Sequence, residues 1–399
     1  MTLAHGRHTL AIPGPSLMPD RVLQAMHRAA PNIYTGPLIE MADTLGPDLK
    51  TVAQTKHYVA MYIGNGHAAW EASLANVLAP GDKVLAPSTG HFSHGWTGMA
   101  RNLGVEVEEM EYGLRAPIDL DQLETRLRSD KAHELKAILV VQTDTSTSVK
   151  NDIAGVRRAM DAAGHPALLM VDSIACLGCD EMQMDAWGVD ILVACCQKGL
   201  MTPPGMSFVF FNERADAVRQ GMERVSSYWD WTLRSRPDGF WQYWCGTAPT
   251  HHLYGLREAL DMIVLEEGIE AVWQRHRTLA AAVWAAFEAW STEGPLELNI
   301  ADRAFRSCAV TSVRIGAPHG TALRTWLTEN AGVTLGIGLG MATDEDPKSD
   351  GFFRVGHMGH LNAHSLLGTL TSIETGLVAL DIPHGSGALD AAVKVCATA

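Results

Sequence analysis

Two uninterrupted apolar runs of strand length, Ala167–Val171 and Ile191–Cys196, constrain this chain more than any other feature. The first closes on Asp172, and the second passes through Gln197 to Lys198. A run without polar alternation must be covered on both faces, as a strand inside a parallel sheet is. The same texture repeats upstream: a strand at Lys83–Ala86, a helix over 93–103, a strand at Val105–Met110, a helix over 120–128, a strand at Ala137–Val141 and a helix over 153–163. Met206–Phe211 reads as a further strand, antiparallel after the Pro203-Pro204-Gly205 turn. Strands alternating with helices of this length predict an α/β sheet with helices on both faces. In such a sheet functional loops lie beyond the carboxyl ends of the parallel strands, where Asp172 and Lys198 fall.

Past Phe211 the texture changes. Trp229, Trp231, Trp241, Tyr243 and Trp244 crowd an aromatic segment, and Leu253–Glu267 and Glu270–Trp290 read as long helices, the second linking domains. The expected division is a turn-rich arm and interface segment at 1–40, a large domain at 41–290 and a smaller C-terminal α+β domain at 291–399. Strand candidates in the last are Ser307–Ile315 and Phe352–Gly356. Apolar residues at 47% and charged residues at 19% describe a globular chain. A net charge of -14 argues against a broad nucleic-acid surface, while leaving room for a local basic pocket. No apolar stretch reaches membrane-spanning length. The seven cysteines form no disulfide framework, which fits a cytoplasmic location. The 17 histidines include no HExxH, the cysteines are read as holding no CxxC pair, and no metal site is expected.

Lysine at a strand end either snorkels to solvent or serves as a carbonyl-capturing amine. Asp172 can cap a helix, pair with a surface cation or contact a cofactor. Gly64-Asn65-Gly66-His67 opens a helix candidate, where glycine and free N–H groups suit an anion, although an ordinary glycine turn has the same composition. Phe92 reads as a core aromatic or as a ring stacked on a ligand. Thr145, within Asp144–Ser148, offers a hydroxyl at another strand end or belongs to a capped turn. Gln197 can donate to a phosphate or pack in a polar turn. Arg354 sits in a short apolar strand, so it needs an anionic partner, either a substrate carboxylate or a protein one. Taken together in this order, the residues suggest pyridoxal 5'-phosphate, with Lys198 holding the aldehyde and Asp172 keeping the pyridine nitrogen protonated.

The chain resembles the class V, fold-type I pyridoxal phosphate aminotransferases, in the serine–glyoxylate and alanine–glyoxylate branch. The matching segments are Ile12–Pro15, Gly66–Ala72, Pro80–Val84, His165–Asp172, Trp187–Asp190, Gln197–Met201 with Pro203–Gly205, and Arg354–Gly359. The resemblance implies catalysis by Lys198 and Asp172, and ring stacking by Phe92. It implies a phosphate side lined by Gly66, His67 and Gln197, and Thr145 near the ring oxygen or phosphate. Arg354 would bind the substrate carboxylate, Thr247 would reach the phosphate of a neighbouring subunit, and the assembly would be a homodimer. Tyr34-Thr35 stands where relatives carry His-Arg, so these two residues are expected to touch substrate and alter donor choice. Asp144–Ser148 and Asn65–His67 also depart from the usual pattern.

The expected reaction moves an amino group from a small amino acid (serine, alanine or aspartate) to glyoxylate or pyruvate. The alternatives are a lyase or desulfurase, which in the latter case needs a mobile cysteine over the substrate, and an inactive cofactor-binding regulator.

Overall fold

Leu168–Asp172 and Ile191–Cys195 are buried at every position, so both occupy the interior of a sheet as their unbroken apolar runs require. In the computed structural model, which describes residues 2–398, the strands in chain order are β1 Thr9–Ala11, β2 Tyr58–Gly64, β3 Lys83–Ser88, β4 Glu106–Glu111, β5 Leu135–Val141, β6 Leu168–Asp172, β7 Ile191–Cys195, β8 Gly205–Phe211, β9 Glu297–Leu298, β10 Val310–Arg314, β11 Val333–Ile337 and β12 Phe352–Gly356. A seven-stranded sheet has the order β2-β8-β7-β6-β5-β3-β4. Pairing is parallel from β4 through β7, and β8 is antiparallel to both β7 and β2. The turn through Pro203-Pro204 thus reverses the chain as its sequence predicts.

Helices follow the strands with sequence-encoded starts. Asp119 caps Leu120–Ser129 and Asp152 caps Ile153–Ala163, each side chain accepting from a first-turn N–H. Gly164 closes the latter helix in the left-handed conformation that glycine tolerates. Apolar cores lie on both faces of the sheet: Ile138, Leu169 and Leu192 face one, and Leu139, Met170 and Val193 the other.

A second sheet has the order β1-β11-β12-β10-β9. Its core includes Leu279, Val283, Phe287 and Trp290 from the 22-residue helix Ile269–Trp290. Residues 9–11, read from sequence as part of an arm, form an edge strand here, parallel to β11. The turn-rich arm expected at 1–40 gives way before its end to a helix, Pro37–Ala53, whose first position is a proline preorganised for helical φ. The helix expected over Leu253–Glu267 divides into an α-helix, Thr250–Leu260, and a wider π-helical stretch, Asp261–Glu267, ending at Gly268 with φ 82°.

Candidate active site

Adjacent strands β6 and β7 end at one edge of the large sheet, so Asp172 and the loop bearing Gln197 and Lys198 arrive together. With Gly66, His67, Trp70, Phe92 and Thr145 they line a cavity of about 180 Å³. Seven of the sequence-expected residues therefore converge on one space. Arg354 touches it through a hydrogen bond from Nη1 to the Thr145 carbonyl, at 2.9 Å.

Asp172 is 3% exposed. Its Oδ2 accepts from Trp70 Nε1 at 2.9 Å and its Oδ1 from the Ile174 N–H at 2.7 Å. Burial still wins over these donors and pushes the carboxyl up to about 7. Lys198 is displaced the other way: burial lowers its pKa, with the Arg354 charge acting in the same direction. A carboxyl raised and an amine lowered, facing one cavity, make this a candidate site for proton transfer.

Arg354 is buried in β12, opposite Ser312 of β10 and Gly336 of β11. Its Nε donates to the Ile337 carbonyl at 2.7 Å. Both hydrogen-bond partners are backbone carbonyls, so the fork retains its demand for an anion. Burial brings its pKa down to about 10, against the attraction of nearby Asp144.

Phe92 is half-buried, at the start of helix His91–Asn102. Asp144 fixes that start: its Oδ2 accepts from the N–H groups of Phe92 and Ser93 at 2.8 and 3.3 Å. A Cβ on Gly90 would lie 2.5 Å from the Asp144 carboxyl carbon, so this close approach requires glycine. Asn65 caps the Gly66–Val77 helix, its Oδ1 accepting from the His67 N–H.

Three expected residues stand elsewhere. Tyr34, 83% exposed, and the exposed Thr35 and Thr247 do not line the cavity within one chain. Sequence reading placed Trp70 in a motif without a role and Asp144 as a mere departure. The signal for Trp70 was its place one helical turn after Gly66 and His67, on a helix aimed at the cavity.

Cys176-Leu177-Gly178-Cys179 has the spacing of a redox or metal pair that the sequence reading passed over. Both thiols are buried, and burial pushes both pKa values up. His94, Glu109 and Glu111 bring ligand atoms within 4.8 Å of one another, where Glu109 already pairs with Arg101. Among the described residues, no helix is long and apolar enough to cross a membrane.

The family model for class-V aminotransferases matches residues 10–356. A serine–glyoxylate aminotransferase of Methylorubrum extorquens is 37% identical over 394 residues, covering 96% of this chain and 94% of the relative. An L-aspartate–glyoxylate aminotransferase of Paracoccus denitrificans is 33% identical, with 96% of this chain and 94% of the relative covered. The crystal structure of a ureidoglycine–glyoxylate aminotransferase from Bacillus subtilis superposes with a TM-score of 0.86 at 28% identity, covering 98% of this chain and 99% of that one.

Proposed function

The chain belongs to the class-V aminotransferase family, and we propose that it moves an amino group from serine, alanine or aspartate to glyoxylate or pyruvate, using pyridoxal 5'-phosphate. The observation that carries this reading is the convergence of Asp172, Lys198 and a buried Arg354 that has no carboxylate partner among the described residues. The serine and aspartate in the relatives' names support a small donor, and the glyoxylate they share supports that acceptor.

The cavity's groups fit the cofactor: an amine of lowered basicity for the aldehyde, a buried carboxylate for the ring nitrogen and a phenyl ring for the ring face. On the phosphate side stand Gln197 and the Gly66–His67 helix start. There a Cβ on Gly66 would lie 2.7 Å from Ile174 Cδ1, so the helix start packs closely beside the cavity. Bound there, the cofactor supplies an electron sink for the substrate α-carbon.

The chain's own residues do the rest. Lys198, neutral more readily because it is buried, takes the α-proton and returns a proton later as general acid. Asp172 is drawn to its carboxylate form by a cation placed beside it, and so favours a protonated ring nitrogen. Arg354 grips the α-carboxylate through its planar fork and orients the bond to be broken. Thr145 offers a hydroxyl beside the ring. In a homodimer Thr247 would reach the neighbouring subunit's phosphate, and Tyr34 and Thr35 would shape the donor pocket.

The lyase or desulfurase reading has less support. Cys176, Cys179, Cys195, Cys196 and Cys308 are buried, and exposed Cys245 does not line the cavity. The deciding experiment crosses serine, alanine, aspartate and pyridoxamine against glyoxylate, pyruvate, oxaloacetate and 2-oxoglutarate, with products read by mass spectrometry. Aminated glyoxylate or pyruvate is expected. Cleavage of carbon–carbon or carbon–sulfur bonds without an aminated acceptor overturns the reading.

A further inference from the structure

The turn Ile12–Ser16 is gripped from two sides. It continues directly from β1, which pairs with β11, and Gly356 of β12 lies so close that a Cβ there would be 2.1 Å from the Ile12 carbonyl oxygen. From the large domain, the Gln197 carbonyl accepts from the Ser16 N–H at 2.9 Å, and the Lys198 carbonyl accepts from Ser16 Oγ at 2.7 Å. At the centre of the turn Lys198 Nζ donates to the Pro13 carbonyl at 2.5 Å. A Cβ on Gly14 would lie 2.3 Å from that nitrogen and 2.5 Å from Lys198 Cδ and Cε. The lysine side chain thus runs through space that exists because residue 14 has no side chain.

We propose that the Pro13 carbonyl and Gly14 form a seat for the Lys198 amine whenever it is free of the cofactor, making this turn a positioning element for the proton-transfer group. The inference rests on the reading of Lys198 as the working amine. A carbonyl only accepts, so Pro13 cannot itself take a proton from substrate. It can fix one N–H of the neutral amine and thereby the direction of its lone pair, and it holds the ammonium form by a charge-assisted bond. The seat and the carboxylate clamp have a common support. Pro13 follows β1 and Arg354 lies in β12, both in the β1-β11-β12 portion of one sheet. The amine's acceptor and the substrate's anchor are therefore set relative to each other by the small domain.

The test uses cofactor-free protein and competitive acetylation with trace acetic anhydride across the lysine titration range. Peptide mass spectrometry compares Lys198 with exposed Lys136. Gly14→Ala drives a methyl into the lysine's path and is expected to shift the Lys198 titration downward, because the ammonium loses its acceptor, while Lys136 is unchanged. Ser16→Ala removes one tether of the turn and is expected to give a smaller shift in the same direction. Near-UV circular dichroism verifies folding of each variant. An unchanged Lys198 titration in folded Gly14→Ala overturns the seat; where that variant does not fold, an unchanged titration in Ser16→Ala overturns it. Borohydride reduction and peptide mapping of the wild-type holoenzyme separate the premises. An adduct on Lys198 with unchanged variant titrations rejects the seat alone, and an adduct on another lysine rejects the reading of Lys198 beneath it.

Discussion

Trp70 Nε1 donates to Asp172 Oδ2 at 2.9 Å, one of two N–H groups that hold a carboxylate buried beneath the sheet edge. The indole is itself fixed, stacked near-parallel on Trp96 with centroids 6.3 Å apart and covered by the His67 ring at 4.6 Å. Phenylalanine at this position keeps an aromatic ring and loses the donor. A hydrogen bond to a charged group is worth about 1.5–3 kcal/mol, so Trp70→Phe disfavours the carboxylate form. Cofactor affinity at neutral pH is expected to fall on the order of tenfold or more, recovering in part as pH rises. Titration of the cofactor-free variant with pyridoxal phosphate measures this, and wild-type affinity at neutral pH would contradict it.

Asp172 also gives the cofactor-free protein a stability that declines as pH rises. Its folded pKa of about 7 lies above the ordinary 3.8, so between those values the folded chain binds more protons than the unfolded chain. The stabilisation is full below the lower value and is lost as pH climbs through the upper one, with a slope of up to about 1.4 kcal/mol per pH unit. Asp172→Asn abolishes that titration. Urea denaturation of both proteins, from about pH 5 to pH 8, should therefore give curves that diverge in slope. Parallel curves would show that Asp172 does not titrate there.

Two buried histidines act in the opposite direction. His276 accepts from the Gly359 N–H on one ring nitrogen and is bonded to the Val272 carbonyl through the other. Burial pushes it down to about 3, and His357, bonded to Thr311 and the Cys308 carbonyl, down to about 4. Each is neutral in the fold and charges on unfolding, so its contribution is present above the ordinary value of 6.5 and lost as pH falls through the folded value. Holoenzyme stability should drop steeply between about pH 6 and pH 4, and His276→Gln should flatten that drop. An unaltered acid limb in the variant would assign the sensitivity elsewhere.

What the sequence made legible follows from how strongly each segment constrains its own surroundings. Buried strands such as Leu168–Asp172 and Ile191–Cys195 declare themselves, because unbroken apolar runs have few other uses. The charges at or just past their ends, Asp172 and Lys198, meet at one cavity. Strand β11 was not legible: Val333–Ile337 contains Thr334 and Gly336, and its place comes from pairing with β12 and β1 rather than from its own pattern. Helix Pro37–Ala53 was masked by the prolines around its start and by Pro47 within it. The roles of Trp70, Asp144 and Gly14 are long-range: each depends on a partner at least 50 residues away, a relation that local periodicity does not encode.

Exposed aromatic and aliphatic groups test the proposed dimer. Trp241 is 58% exposed and Leu233 is 50% exposed in the single chain, in the same segment that leads to Thr247. Side chains of this size on a surface suit a partner. Sedimentation of the holoenzyme is expected to give twice the mass of one chain, and Trp241→Glu to shift it toward monomer with loss of bound cofactor. A wild-type monomer with full activity at the same concentration would defeat the shared site.

The sharpest test of the proposed substrate clamp is Arg354→Lys. Lysine keeps one positive charge in the buried strand but cannot present two parallel N–H donors to a carboxylate. The loss of a charge-assisted bond worth about 1.5–3 kcal/mol corresponds to a fall of roughly ten- to a hundredfold in kcat/KM. Because the replacement also gives up the bonds to Ile337 and Thr145, a general disturbance must be separated from loss of the clamp. Ethanolamine, which is serine without its carboxylate, makes that separation in a single-turnover half-reaction followed by absorbance. Serine, alanine and aspartate should all slow in the variant, while the already slow reaction of ethanolamine should be little changed. An equal loss for ethanolamine would mean that Arg354 supports the cavity rather than the substrate, and undiminished rates with serine would remove it from binding altogether.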